Sequence, residues 1–225
     1  MNWQQCKSAG LQFLLGKTLK PFLQHYYLKS PRRMKYRDLQ LTVQPGVFHP
    51  GLFFSSKYFA DFISALKLTN KTFLDLGTGS GLLALTAASC GAKVVATDIN
   101  PRAVANAADN ARMNQLPLTL MQSDLFDRLS SHFDVIVINP PYFNKNPESP
   151  AQAAWYCGED FDYFSRLFSQ LRDYTDQHSQ VFMVLSDGCA LDKIHDLARS
   201  QALRLELVAS KSFTIEENYI FKIML

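Results

Sequence analysis

The sequence predicts a doubly wound α/β fold: a mainly parallel seven-stranded sheet with a C-terminal antiparallel hairpin, preceded by a small N-terminal helical and strand segment. From residue 46 onwards, short apolar segments alternate with segments of helical period. The central apolar segments carry few polar residues, as in parallel strands that helices cover on both faces. The last two strand-like segments have no helix between them and are therefore expected to pair antiparallel.

The first 45 residues are expected to form a basic accessory segment, because they are too few for an independent core. Residues 10–28 place apolar side chains at spacings of three and four, which predicts an amphipathic helix weakened at Pro21. Residues 36–43 are predicted to form one short strand. The main domain is expected to span residues 46–225.

Within the main domain, periodicity and turn signals define alternating elements. The predicted helices cover residues 53–66, 81–90, 101–114, 161–174 and 191–200. The predicted strands cover residues 72–76, 93–97, 118–122, 135–138, 181–185, 203–209 and 219–224. Asn100 is a suitable N-cap and Pro101 suits the first helical position of the third helix.

Composition excludes several classes of protein. The chain has 225 residues and is 47% hydrophobic, enough for one α/β domain and an appendage. Its apolar runs fall short of the roughly 20 residues that span a bilayer, and its N-terminus lacks the pattern of a secretory signal, so we expect no membrane span and no secretion. Four widely separated cysteines are typical of reduced thiols in a cytoplasmic protein and predict no metal site.

Charge is distributed unevenly along the chain. Residues 1–38 contain eight basic residues and one acidic residue, a net charge of +7, so the rest of the chain carries −4 of the overall +3. A basic segment of this kind favours an anionic partner such as nucleic acid. A solvated basic helix face is the other interpretation.

The first candidate motif follows the first core strand and reads Asp75-Leu76-Gly77-Thr78-Gly79-Ser80-Gly81. Alternating glycines let the backbone turn tightly and approach a ligand closely. The spacing differs from the G-x-G-x-x-G pattern of dinucleotide-binding proteins. Asp75 would repel a pyrophosphate, so a cationic or zwitterionic ligand, such as a methionine moiety with its ammonium, suits the loop better.

Two more carboxylates follow strands that are expected to end at the same edge of the sheet. Asp98 ends the second core strand, where its side chain is able to accept hydrogen bonds from both hydroxyls of a ribose. Asp124 follows the third and is able to accept from the exocyclic amine of an adenine, with Ile99 and Leu125 on either side of the ring. An ordinary turn aspartate is the alternative interpretation of each.

The fourth motif, Asn139-Pro140-Pro141-Tyr142, follows the apolar strand of residues 135–138. A residue before proline avoids the α region, so Asn139 is expected to be extended, with its amide facing the crevice at the strand ends. Its carboxamide oxygen and the Pro140 carbonyl would accept both hydrogens of a target –NH₂ and hold the nitrogen in place for reaction. Tyr142 offers a flat face on which a planar amide or base would stack.

Together these motifs resemble the class I S-adenosylmethionine-dependent methyltransferases that carry Asn-Pro-Pro-Tyr, over roughly Val47 to the C-terminus. The nearest likeness is to the HemK-like protein-glutamine methyltransferases and the related small-domain RNA and DNA methyltransferases. The resemblance implies an N-methyltransferase that uses S-adenosylmethionine and acts on a macromolecular substrate. It implies cofactor contacts from Asp75, Gly77, Thr78, Gly79, Gly81, Asp98, Ile99, Asp124, Leu125 and Asn139, and an acceptor site formed by Asn139, Pro140, Pro141 and Tyr142.

The chain departs from the release-factor type at several places. It has Pro50-Gly51-Leu52-Phe53-Phe54-Ser55 where Pro-Arg-Pro-Glu-Thr-Glu is usual, Cys157-Gly158 where two glycines are expected, and Phe161 where a further glycine is expected. Transfer to a protein glutamine amide is the leading hypothesis, and an exocyclic base amine in RNA or DNA is the alternative. A nucleotide-dependent dehydrogenase and a non-catalytic binding module are the other hypotheses; the glycine spacing and the intact Asn139 argue against them.

Overall fold

The computed structural model describes residues 29–214 and 216–225, so the helix predicted for residues 10–28 lies outside the described residues. Within the described ranges, none of the helices combines the length and the apolar character needed to cross a membrane.

The described residues form nine strands and five α-helices. The strands are β1 Arg32–Tyr36, β2 Leu39–Val43, β3 Thr72–Leu76, β4 Lys93–Asp98, β5 Thr119–Gln122, β6 Val135–Ile138, β7 Gln180–Ser186, β8 Arg204–Ser212 and β9 Glu217–Met224. The helices are α1 Phe54–Ser64, α2 Leu82–Ser89, α3 Pro101–Met113, α4 Asp162–Gln170 and α5 Leu191–Ser200. Short 3-10 turns cover Pro50–Leu52, Gln152–Ala154 and Leu171–Tyr174.

Seven strands form the main sheet in the order β5-β4-β3-β6-β7-β9-β8. The first five of these are parallel to one another, whereas β9 pairs antiparallel with both β7 and β8. The predicted fold class is confirmed, including the C-terminal antiparallel hairpin. The strand order reverses between β3 and β6, where Leu76 lies beside Ile138, and ligands bind at such a switch point.

The core lies on both faces of the sheet. All four residues of β6 are buried, as expected for a central parallel strand. Phe164 and Phe168 of α4 pack in one cluster, and Phe59 and Ile63 of α1 pack in another. These helices hold the carboxyl ends of the strands in fixed positions.

The N-terminal hairpin differs from the prediction. The single strand expected over residues 36–43 is wrong, because β1 and β2 form a separate antiparallel pair in which Tyr36 lies opposite Leu39. The chain reverses at Arg37, whose φ of 50° lies in the left-handed region. A turn of this kind usually contains glycine or asparagine, so the sequence carried no signal for it.

The predicted helix 161–174 is too long at both ends. It begins at Asp162 because Phe161 adopts a left-handed conformation with φ 59° and ψ 37°. After Gln170 the backbone tightens into the 3-10 turn Leu171–Tyr174. Phe161 stands where the resemblance predicts glycine, and the left-handed backbone is strained for an aromatic residue.

Three asparagines spaced four residues apart, two on α3 and one just after its end, dock the hairpin on the main domain. The side-chain oxygens of Asn106, Asn110 and Asn114 accept from the backbone N–H groups of Gln44, Thr42 and Gln40, at 3.0, 2.8 and 2.9 Å. Their amide nitrogens donate back to carbonyls of β2. The asparagines thus pair with one edge of β2 as a neighbouring strand would. The domain boundary at residues 45 and 46 stays a prediction.

Candidate active site

A cavity of about 560 Å³ opens at the switch point of the sheet. It is lined by residues that follow β3, β4, β5, β6 and β7, and by the first turn of α1. The parallel arrangement explains this convergence, because the carboxyl ends of parallel strands meet at one edge of the sheet.

Most of the predicted site residues line this cavity. They are Gly77, Thr78, Gly79, Asp98, Ile99, Asp124, Leu125, Asn139, Pro140, Pro141 and Tyr142. The cavity wall does not include Asp75 or Gly81, which lie at the two ends of the glycine loop. The fold therefore brings most of the four motifs together around one space.

Asp75 is buried behind the glycine loop. Its Oδ2 accepts from the Thr78 hydroxyl at 2.7 Å and from the backbone N–H of Ala84 at 3.0 Å. Its Oδ1 is buried and has no hydrogen-bond partner within the described part of the chain. Burial raises the pKa of Asp75 to about 7, although the bonds from Thr78 and Ala84 act to lower it.

The glycine loop is tightly built. Gly81 has φ 89° and immediately precedes α2, and a Cβ at this position would lie 3.2 Å from Cβ of Ala107. A side chain at Gly81 would therefore combine backbone strain with crowding against α3.

Asp98 is held by the loop that it faces. One carboxylate oxygen accepts from the backbone N–H of Gly79 at 2.8 Å, and the other accepts from that of Asn100 at 2.9 Å. Burial raises the pKa of Asp98, and the two backbone N–H groups act to lower it. Each oxygen keeps a lone pair that is able to accept from a ligand hydroxyl.

The wall beyond Asp98 contains the residues predicted around an adenine. Asp124 forms an ion pair with Arg166 of α4, at 2.9 Å between Oδ2 and Nη1. Leu125 is buried, whereas Ile99 is 38% exposed. Sequence analysis did not predict Arg166 as the partner of Asp124. The two residues are far apart in sequence, and periodicity alone does not show that α4 lies at this edge of the sheet.

Asn139 is hydrogen-bonded at both ends of its carboxamide. Its Nδ2 donates to Ser56 Oγ at 3.3 Å, and its Oδ1 accepts from the Tyr142 hydroxyl at 2.6 Å. Burial raises the pKa of Tyr142 above its ordinary value, so the phenol stays protonated as a donor. Asn139 and Tyr142 are thus hydrogen-bonded to each other, and Asn139 is also hydrogen-bonded to the first turn of α1.

Aromatic rings from two distant segments meet at the cavity. The ring centroids of Phe48, Phe53 and Trp155 lie 5.2 to 5.3 Å apart in each pair. Sequence analysis missed this cluster, because Phe48 and Trp155 are more than 100 residues apart in sequence. It also missed Ser55 and Ser56, since paired serines at a helix start are common and carry no specific signal.

The charge of the lining is predominantly negative. Among the described residues, the cavity is lined by five acidic side chains and one basic side chain. The acidic ones are Asp98, Asp124, Asp162, Asp187 and Glu216, and the basic one is Arg166. Such a lining suits a cationic ligand and disfavours a pyrophosphate. The unpartnered Oδ1 of Asp75, just behind the loop, is likewise able to accept from an ammonium. The residues therefore fit a small cationic molecule with hydroxyl groups.

A doubly wound sheet with a cavity at its switch point is typical of enzymes that bind a small ligand there, and the acidic lining fits a cationic one. Comparison with known proteins makes the class specific. Residues 38–157 match the family described as methyltransferase small domain. The chain is 38% identical over 194 residues to a protein of Methanocaldococcus jannaschii that is provisionally named a protein N5-glutamine methyltransferase; the match covers 82% of this chain and 94% of that protein.

Other relatives match over shorter stretches. The chain is 38% identical over 111 residues to the release factor glutamine methyltransferase of Lactococcus lactis, covering 48% of this chain and 40% of that relative. Among solved structures, a methyltransferase from Pyrococcus furiosus has a TM-score of 0.63 at 19% identity, covering 92% of this chain and 98% of that one. The comparison with the Pyrococcus structure supports the assignment of the fold.

The chain therefore belongs to the methyltransferase small domain family and is an S-adenosylmethionine-dependent methyltransferase.

Proposed function

We propose that this enzyme methylates the side-chain amide nitrogen of a glutamine in a protein. The observation that carries this proposal is the position of Asn139, at the carboxyl end of β6 and on the wall of the acidic cavity. The names of the Methanocaldococcus and Lactococcus relatives support a glutamine amide as the acceptor. The match covers only 40% of the Lactococcus relative, so the identity of the protein substrate is also part of the proposal.

In this proposal S-adenosylmethionine supplies an electrophilic methyl group on a sulfonium ion. Asp98 holds the ribose hydroxyls, and Gly77, Thr78 and Gly79 form the wall beside the methionine end. Ile99, Asp124 and Leu125 surround the adenine, and Arg166 holds the Asp124 carboxylate in place. Asp75 and Gly81 act from behind the wall, the first by its charge and the second by setting the loop conformation.

The acceptor amide is held by the other motif. Asn139 Oδ1 and the Pro140 carbonyl accept the two N–H bonds of the glutamine amide, while Tyr142 packs against its plane. The prolines stiffen this segment, so the nitrogen is held with little loss of freedom at the moment of reaction. The new N–C bond forms as the C–S bond breaks, and the nitrogen releases its extra proton to water. No strong general base is required at Asn139.

Electrostatics favours a protein acceptor over a nucleic acid. A phosphate backbone that approached the cavity would meet Asp187 and Glu216, which follow β7 and precede β9 beside Asn139. Like charges at close range raise the free energy of binding. A neutral amide or a basic peptide meets no such barrier.

A transfer assay with tritium-labelled S-adenosylmethionine tests the proposal. Purified release factors, tRNA and rRNA are supplied separately, and labelled protein is digested and analysed by mass spectrometry. We expect label on a protein, as N5-methylglutamine, with Asn139→Ala as the inactive control. Label on RNA alone, or on a different side chain, would contradict the proposal.

The second candidate acceptor is an exocyclic base amine in RNA or DNA. One observation favours it: β1 carries exposed Arg33 and Lys35, which continue the basic character of the first 38 residues. We propose that this basic segment binds an anionic partner, such as RNA near a protein substrate. The same assay separates the two acceptors, because the label is then found in nucleosides.

A further inference from the structure

The first turn of α1 provides two buried serines beside the Asn-Pro-Pro-Tyr segment. Ser55 and Ser56 are each 2% exposed, and both line the cavity. Neither caps the helix: the N-cap position is Phe53, and no described side chain makes a cap hydrogen bond there. Their hydroxyls are therefore available for contacts with residues across the cavity.

One of these serines belongs to a chain of hydrogen bonds. Ser56 Oγ accepts from Asn139 Nδ2 at 3.3 Å, and Asn139 Oδ1 accepts from the Tyr142 hydroxyl at 2.6 Å. The donors run in one direction, from Tyr142 to Asn139 and then from Asn139 to Ser56.

This direction of donation determines how the Asn139 carboxamide is oriented between Tyr142 and Ser56. The Tyr142 phenol donates its proton to Asn139, and that proton requires an oxygen at the near end of the amide. The amide nitrogen is then placed against Ser56. In the flipped orientation Asn139 would present N–H groups toward an incoming –NH₂, and two donors would face each other without a hydrogen bond.

We propose that Ser56 is a positioning residue, which fixes the orientation of the Asn139 carboxamide so that its oxygen faces the acceptor nitrogen. This inference rests on the proposed function for its catalytic consequence, although the orientation itself is measurable without an acceptor.

The side-chain amide signal of Asn139 in a ¹⁵N NMR spectrum tests the orientation directly. The signal is assigned by its loss in Asn139→Ala, and S-adenosylhomocysteine affinity is measured by calorimetry for every variant. In Ser56→Ala we expect the signal to shift and its protons to exchange faster with water, while the affinity stays within twofold. The matched control is Ser64→Ala, at the other end of the same helix, where the hydroxyl donates to the Asp61 carbonyl; it should leave the signal unchanged.

Kinetics provide the second measurement. With an unmethylated protein substrate as acceptor, kcat of Ser56→Ala should fall about fivefold or more, and KM for the methyl donor should not change. Ser56→Thr, which keeps the hydroxyl, should restore most of the rate. Should Ser56→Ala fail to fold, Tyr142→Phe keeps the ring but removes the donor at the other end of the amide, and it is expected to change the signal and the rate in the same direction.

The possible outcomes separate the two proposals. An unchanged Asn139 signal in Ser56→Ala, or in Tyr142→Phe if that variant is used, would overturn the positioning role. A changed signal in an enzyme that methylates no protein amide would uphold the positioning role and overturn the proposed function.

Discussion

At the scale of single residues, the proposed site divides into groups assigned to the cofactor and groups assigned to the acceptor. Asp98 is held by backbone N–H groups of the glycine loop, whereas Asn139 is held by Tyr142 and Ser56. The two side chains have no hydrogen-bond partner in common. Substitutions at these positions should therefore affect different steps.

Asn139→Ala is expected to reduce methyl transfer at least a hundredfold while leaving S-adenosylhomocysteine affinity within a few-fold. The reason is that the carboxamide holds the acceptor in place, and positioning contributes to the rate more than to cofactor binding. Asp98→Ala is the matched comparison and should weaken cofactor binding by about 1–3 kcal/mol, the usual value for a hydrogen bond to a charged group. Calorimetry checks both, and an equal loss of affinity in the two variants would contradict the division of roles.

Asp75 gives the stability of the free enzyme a specific pH dependence. Burial raises its pKa from 3.8 to about 7, so the folded state binds a proton that the unfolded state has released. The stability contributed by this group is complete below about pH 4 and is lost as the pH rises through about 7. Between pH 5 and pH 8 the free energy of unfolding should fall by about 2 kcal/mol more in the wild type than in Asp75→Asn. Urea titrations at the two pH values measure this difference, and parallel profiles for the two proteins would disprove the assignment.

At the scale of elements, the asparagines on α3 and at its end link the N-terminal hairpin to the domain. Asn110 is fully buried, and its side chain accepts from Thr42 N–H and donates to the Thr42 and Ser80 carbonyls. Because Ser80 belongs to the glycine loop, the same side chain connects the hairpin to the wall of the cavity.

Asn110→Ala should lower the free energy of unfolding by about 2–4 kcal/mol, because it leaves buried backbone groups without partners. Asn114→Ala is the control: its contacts with Gln40 are exposed, so water replaces them at a cost below about 1 kcal/mol. Denaturant unfolding measures both variants. A similar small loss in each would show that the buried asparagine does not anchor the hairpin.

Most of the fold was predictable from the sequence because periodicity and turn residues agree along the main domain. The β3, β4 and β6 strands are short apolar segments, and each is followed by glycine, aspartate or asparagine with proline. Asn100 accepts from Arg102 N–H as the predicted N-cap of α3. These patterns depend on residues that are close together in the sequence, so they are recognisable in a single sequence.

What could not be predicted depends on contacts between distant segments or on unusual backbone angles. The turn at Arg37 and the helix start at Phe161 both have positive φ at residues that rarely adopt it. Ser56 lies 83 residues before Asn139, and Arg166 is positioned on Asp124 by the packing of α4. These contacts exist only after the sheet has formed, so no local pattern indicates them.

At the scale of the whole molecule, basic and acidic residues are concentrated in different parts of the sequence. The first 38 residues carry a net charge of +7, and the described lining of the cavity is mainly acidic. Electrostatic interactions between exposed charges act over about 8 Å in physiological salt. The proposed anionic partner should therefore be attracted by the basic segment, whereas phosphates should be repelled at the cavity.

Replacing Arg33 and Lys35 with glutamine should weaken tRNA binding and reduce its dependence on salt. Each lost phosphate contact lowers the slope of log affinity against log salt by about 0.7–0.9. The double variant should thus lose about 1.5 of the slope, and the matched control is Lys67→Gln with Lys93→Gln, both exposed elsewhere. Fluorescence anisotropy across a salt series gives the slopes, and equal slopes for the two double variants would exclude the basic hairpin as an anion-binding surface.

The most direct test of the central claim is a crystal structure of the enzyme with S-adenosylhomocysteine. We predict that the ligand fills the cavity between Gly77 and Asn139, with its ribose hydroxyls on Asp98 and its sulfur facing the Asn139 carboxamide. A ligand bound elsewhere, or one whose sulfur points away from Asn139, would contradict this account of methyl transfer.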